Sequence, residues 1–158
     1  ILFETLVECN SPIHSINLNK NSIDDECIKP LGELLQKSFT IQIIDIGYNQ
    51  MFGGFGFGQP QKKFGNITDS GIEILATYLI GNLTLKSLCL SCQNITEKSI
   101  PILKDIIEKS SLQSLNLYGT PIKQEAQNEL YTFLSLPIDQ RKTPIIAIST
   151  KSAKKIEN

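Results

Sequence analysis

Few residues of this chain have the type and spacing that chemistry needs. Cys89 and Cys92 have C-x-x-C spacing. A structural zinc ion takes four ligands, and the single histidine, His14, lies two strand segments away. Both cysteines are therefore read as ordinary strand residues. The glycine-rich stretch Met51–Gly65 does not follow G-x-x-x-x-G-K-[ST], and no helix starts on Lys-Ser or Lys-Thr, so it is not a phosphate cradle. No Ser-His-Asp/Glu set or paired carboxylates stand out. The only arginine, Arg141, falls beyond the last regular segment. These absences predict no catalytic residue, metal, cofactor or small-molecule substrate.

Composition narrows the classes further. The 158 residues suffice for one domain with a sizeable core, and 41% apolar with 20% charged residues is ordinary for a globular chain. A net charge of −1 gives no basic field for nucleic acid or an anionic membrane. No apolar run reaches the ~20 residues of a membrane span. Four cysteines are too sparse for a disulfide framework, so reduced thiols and an intracellular, cytoplasmic setting are expected.

What positions the remaining candidates is a repeat. Ile13, Ile16, Leu18, Asn21 and Ile23 follow L-x-x-L-x-L-x-x-N-x-L with isoleucine for leucine. Aligned copies centre on Ile16, Ile44, Leu88 and Leu115, at intervals of 28, 44 and 27 residues. Residues 50–66 hold 17 positions where other copies hold one, so an insertion over 50–65 explains the long interval. A fixed period of this size marks a solenoid.

Each unit has two halves. Ile41–Ile46 is short and β-branched, as strands are. Ile72, Leu75, Ala76 and Leu79 make an apolar stripe with helical spacing, after Thr68 and Asp69 as cap residues and before Gly81-Asn82 as a stop. Leu31, Leu34 and Leu35, and then Leu103, Ile106 and Ile107, repeat that stripe. Pro30 and Pro101 are placed in the first turns of their helices. A small residue recurs at Cys27, Gly71, Ser99 and Ala126, where a helix is expected to pack closely over its strand. The sequons at Asn66, Asn82 and Asn94 arise from the cap residues of the repeat, so glycans are not expected.

The period, the strand pattern and the segment Asn66-Ile-Thr-Asp-Ser-Gly-Ile72 through Leu79 resemble the ribonuclease-inhibitor-like class of leucine-rich repeats. The resemblance covers residues 1–136. It implies an α/β, right-handed solenoid with a parallel sheet on the concave face and helices on the convex face. The units are a half repeat at 1–12 and repeats at 13–40, 41–84, 85–111 and 112–136, closing a domain of residues 1–142. Residues 143–158 form a capping strand, Ile145–Ser149, and a basic tail. The array is expected to continue upstream of Ile1. The family's asparagine position reads Asn21, Asn49, Gln93, Thr120, which implies a hydrogen-bond ladder that weakens towards the C-terminus.

Alternation along the strands puts three rows on the concave face: Asn17, Asp45, Cys89, Asn116; Ser15, Ile43, Ser87, Ser114; and Asn19, Gly47, Ser91, Tyr118 with Lys20 and Tyr48 beside them. The face is polar, small and nearly uncharged. It reads as plain solvated sheet or as a protein-binding patch anchored by Tyr48 and Tyr118. Phe52, Phe55, Phe57 and Phe64 in the insertion either fold back over the repeats or dock on a partner. The partner-binding candidates are thus Asn17, Asp45, Tyr48, Phe52, Phe55, Phe57, Phe64, Asn116 and Tyr118. The expected role is a scaffold or accessory subunit in an intracellular assembly, cytoskeletal or ciliary by family habit. The rivals are a small-GTPase regulator resembling Ran GTPase-activating proteins, for which Arg141 has no placement, and the ligand-sensing part of a larger receptor.

Overall fold

In the computed structural model, Leu6 and residues 12–48 and 65–141 are described. Four three-residue strands run β1 Ser15–Asn17, β2 Ile43–Asp45, β3 Ser87–Cys89 and β4 Ser114–Asn116. They form one parallel sheet in the order β1-β2-β3-β4. Helices α1 Asp25–Lys37, α2 Asp69–Leu79 and α3 Ile100–Lys109 connect successive strands, and α4 Gln124–Ser135 and the four-residue α5 Ile138–Arg141 follow β4. Parallel neighbours need such crossovers, because a tight turn cannot reverse the chain twice.

The register follows the apolar spacing. Ile16, Ile44, Leu88 and Leu115 lie opposite one another in consecutive strands. A one-residue slip would turn this buried row to solvent. All four belong to one core with Leu31, Leu35, Leu75, Leu79, Leu103 and Leu130 from the helices. No helix among the described residues is long and apolar enough to cross a membrane.

Helix starts explain the small residues differently from the sequence reading. Asp25 Oδ1 accepts from Thr68 N at 2.8 Å and Oδ2 from Thr68 Oγ1 at 2.5 Å. Asp69 does the same for Thr96, at 2.9 and 2.7 Å, and also accepts from Ser99 Oγ at 2.5 Å. Glu97 Oε1 accepts from Lys123 N at 3.3 Å. The first carboxylate of one helix thus caps the entry to the next. A Cβ at Gly71 would overlap Asp25 Oδ1, so Gly71 is small because of the neighbouring unit's carboxylate, not because of its own strand.

Two further expectations change. Pro101 opens α3 behind the 3-10 turn Glu97–Ser99, as its spacing predicts. Pro30 instead lies inside α1, because α1 begins at Asp25 without a separate turn. Its missing N–H forgoes one bond to the carbonyl of Glu26, an exposed residue of the first turn. The side-chain ladder does not weaken at Gln93 either. Gln93 is fully buried, donates from Nε2 to Ile46 O at 2.6 Å and accepts from Ile67 N at 3.1 Å. Its extra methylene lets it reach the preceding unit. Asn21 is exposed and donates to Asn19 O, and Thr120 Oγ1 donates to Leu117 O within its own turn. Asn49 lies outside the described residues.

Among the described residues, the outer side of β4 is met by side chains. In the other units the N–H two residues beyond the central position donates across the sheet: Leu18 to Asp45 O, Ile46 to Cys89 O, Leu90 to Asn116 O. At β4 the matching Leu117 N–H finds Tyr131 Oη at 3.2 Å. Arg141, 4% exposed, donates to the carbonyls of Leu112, Leu134 and Leu136. The proposed capping strand Ile145–Ser149 lies outside the described residues.

Candidate functional site: the sheet face and its strand-exit edge

The site is built where the strands end. Four residues there sit four positions after the central core residue: Lys20, Tyr48, Cys92 and Gly119. All four have positive φ, at 62°, 51°, 58° and 71°. Each unit therefore turns out of the sheet through a left-handed residue, a conformation that disfavours side chains other than glycine. Only the last unit places a glycine there, and a Cβ on Gly119 would lie 2.8 Å from Cys92 Sγ.

The row Asn17, Asp45, Asn116 closes these turns. Asn17 Oδ1 accepts from Asn19 N at 3.0 Å, Asp45 Oδ1 from Gly47 N at 2.9 Å and Asn116 Oδ1 from Tyr118 N at 2.9 Å. Short polar side chains bonding the backbone two residues on make Asx turns. One oxygen of each candidate is thus committed to its own turn. The remaining polar atoms of Asn17 and Asn116 stand on exposed residues, while Asp45 is half-buried. Cys89 occupies the same row, with Sγ 3.3 Å from Ser91 Oγ.

The third row differs from its sequence assignment. Gly47 and Ser91 are buried, and a Cβ at Gly47 would overlap Ser91 Oγ. They are a packing contact under the edge, not surface. Tyr48 and Tyr118 remain outside, 41% and 70% exposed. Main-chain pairing seats them: Tyr48 N donates to Ser91 O at 2.9 Å, and Cys92 N to Tyr118 O at 2.7 Å. Two tyrosines from units that are not sheet neighbours are thus brought together around Cys92 between them. The Tyr48 hydroxyl is raised above the ordinary tyrosine range by the Cys92 thiol beside it, which also hydrogen-bonds it, with Tyr118 and Cys89 adding to the effect.

Thiol chemistry is not favoured. Burial pushes the Cys89 thiol above its usual range; hydrogen bonds from Ser91 oppose this and the Asp45 carboxylate reinforces it. The thiolate is the nucleophile and the metal ligand, so a raised Cys89 is a poor candidate for either. Among the described residues no group of three or more His, Cys, Asp or Glu side chains is placed to hold a metal ion. Of the other candidates, Ile43 is 46% exposed on the open sheet face. Phe52, Phe55, Phe57 and Phe64 lie outside the described residues. The two ends of the insertion are placed, however: Tyr48 bonds to Ser91, and Gly65 N donates to Cys92 O at 2.6 Å. The insertion therefore leaves and returns at adjacent residues of one neighbouring turn.

Sequence reasoning missed the carboxylate chain Asp25, Asp69, Glu97 and the closing pair Tyr131 and Arg141. The first had a signal, an acidic residue directly after each cap in three units. The second had none, because both depend on an edge that exists only in the folded sheet.

No family model matches the chain, and no curated protein sequence matches it significantly. Among solved structures, Leiomodin-1 actin-binding site 2 is similar, with a TM-score of 0.61 and 18% identity over 82% of this chain and 68% of that one. The fold is leucine-rich-repeat-like. At that identity the likeness speaks for the path of the backbone and for nothing bound to it.

Proposed function

We propose that the chain is a right-handed leucine-rich-repeat solenoid of the ribonuclease-inhibitor-like class that serves as a protein-interaction module. In this role it is a scaffold or accessory subunit of an intracellular assembly, cytoskeletal or ciliary, and performs no reaction of its own. The observation that carries the proposal is the pair Tyr48 and Tyr118, both exposed at the edge of a nearly uncharged sheet face whose one large apolar side chain is Ile43. Exposed tyrosines on a rigid frame are frequent anchors of protein interfaces. Actin is the first partner to test, because a solved structure of like fold is described as an actin-binding site.

Co-sedimentation with actin filaments tests the proposal. The chain is expected in the pellet, and Tyr48→Ala with Tyr118→Ala is expected to lower its apparent affinity at least tenfold. A chain that stays in the supernatant at every actin concentration defeats the cytoskeletal assignment, and pelleting that ignores the double substitution defeats the tyrosine anchor. The rival role in GTP hydrolysis needs an arginine offered to a partner. Arg141 is buried and already donates to three carbonyls.

A further inference from the structure

A second apolar feature lies at the opposite ends of the strands. The turns from α1 into β2 and from α2 into β3 are built alike. Ser38 Oγ accepts from Thr40 N and Ile41 N, and Asn82 Oδ1 accepts from Thr84 N and Leu85 N. In each turn the residue after the accepting side chain stands at the outer corner. Those residues are Phe39 and Leu83, 87% and 73% exposed. Ile43 pairs with Ser87, and Gln42 O receives the N–H groups of both Lys86 and Ser87, so the two turns are neighbours along the sheet edge. Ile80, the C-cap of α2, is also partly exposed there.

The charged side chains within these two turns are lysines. Lys86 Nζ donates to Leu83 O at 3.2 Å, which holds its ammonium beside Leu83. Lys37 ends α1 two residues before Phe39 and is exposed. No Asp or Glu occurs in residues 34–43 or 77–88. In the adjoining unit Lys109, whose carbonyl accepts from Gly81 N, is paired with Asp105 at 3.1 Å, which leaves Glu108 as the acid facing Lys37 and Lys86 from that side.

We propose that the Phe39–Leu83 edge docks a short amphipathic protein segment with apolar side chains on one face and carboxylates on the other. Charge complementarity selects the carboxylates. The available area selects a segment over a second copy of the chain. Phe39, Leu83 and Ile80 together offer on the order of 400 Å² of exposed surface, about half of what one partner of a stable dimer contributes. A two-fold contact through this edge would also set the lysines of one copy against those of the other. The surface is separate from the tyrosine edge, so each can fail without the other.

Fluorescence anisotropy with two synthetic peptides tests the docking edge. One is a helix of about four turns with leucine on one face and glutamate on the other; its counterpart replaces each glutamate by lysine. The glutamate peptide is expected to bind and the lysine peptide not to. Phe39→Ser with Leu83→Ser should weaken binding at least tenfold, and Lys37→Glu with Lys86→Glu should reverse the preference between the peptides. Tyr48→Ala with Tyr118→Ala should leave it unchanged. Because the substituted side chains lie outside the core, the serine and alanine variants should melt as the parent does, and the lysine variant, which puts a carboxylate at the C-terminal turn of α1, should melt slightly lower but as one folded species. The proposal is overturned if the glutamate peptide does not bind, if both peptides bind equally, or if binding survives the serine substitutions. A dimer in sedimentation that the serine substitutions dissolve overturns it too, since the occupant is then a second copy.

Discussion

At the scale of single residues, the turns and caps hold sharper commitments than the leucines. Asp69 receives three hydrogen bonds, two of them from hydroxyls of the next unit. Partial burial pushes its carboxyl up, but the bonds from Ser99 and Thr96 outweigh this and hold it below the ordinary carboxylate range. A carboxyl lowered in the folded state stabilises the fold above its unfolded value and loses that contribution as the pH falls through the folded value. Thermal melts from pH 7 down to pH 3 should therefore show a steeper loss for the parent than for Asp69→Asn. At pH 7 the variant should be about 1–2 kcal/mol less stable. Gly119 is the converse case, where a side chain must be absent. Gly119→Ala adds a left-handed alanine and a Cβ against Cys92 Sγ. A loss of about 1–2 kcal/mol is expected in denaturant unfolding.

At the scale of elements, stability depends on bonds that cross between units. Short strands of three residues cannot hold a sheet alone, and the strand ladder here extends beyond them into the turns on both sides. Gln93 is the most buried of these links, joining Ile46 and Ile67 across the second and third units. Truncation removes the buried acceptor of Ile67 N and a buried donor to Ile46 O, and a lost buried partner costs about 1–3 kcal/mol. Gln93→Ala should accordingly lose roughly 2–4 kcal/mol, and Gln93→Asn should recover little of it, because asparagine is one methylene short of both partners. Chemical unfolding of the three proteins checks the order.

At the scale of the molecule, the four-stranded parallel sheet of the described residues ends on β1 and β4, and strand edges invite pairing unless they are covered. The β4 edge is met by Tyr131 and by Arg141, which also binds the carbonyls that end α4. Arg141→Met keeps much of the side-chain volume but removes the donors. It should destabilise by about 2–4 kcal/mol and, by opening the edge, raise aggregation in light scattering. The insertion is the opposite kind of feature. Its ends meet Ser91 and Cys92, adjacent residues of one turn. Replacing residues 50–64 by a single linker residue should therefore leave the melting midpoint within a few degrees, since loop closure depends only weakly on length. A collapsed circular dichroism spectrum would place the insertion in the core.

The division between what was legible and what was not follows from the range of the forces. The order of elements, the row Ile16, Ile44, Leu88 and Leu115 and the two rows that flank it, from Ser15 and from Asn17, come from side-chain periodicity, which is local and written along the chain. The position of Tyr48 and Tyr118 at the strand exits was legible for the same reason. Their placement on either side of the Ser91–Cys92 turn was not, because it joins units separated by a whole strand. Gly71 looked like a strand contact until Asp25 of another helix was seen against it. Gln93 looked like a weakened asparagine, although its length is what carries it across the sheet. Sequence alone determined the apolar row that faces inward along the strands, while Gly47 and Ser91, read as surface, are buried. Only the tertiary structure decided which polar groups find one another across units, since hydrogen bonds require positions and angles that periodicity does not encode.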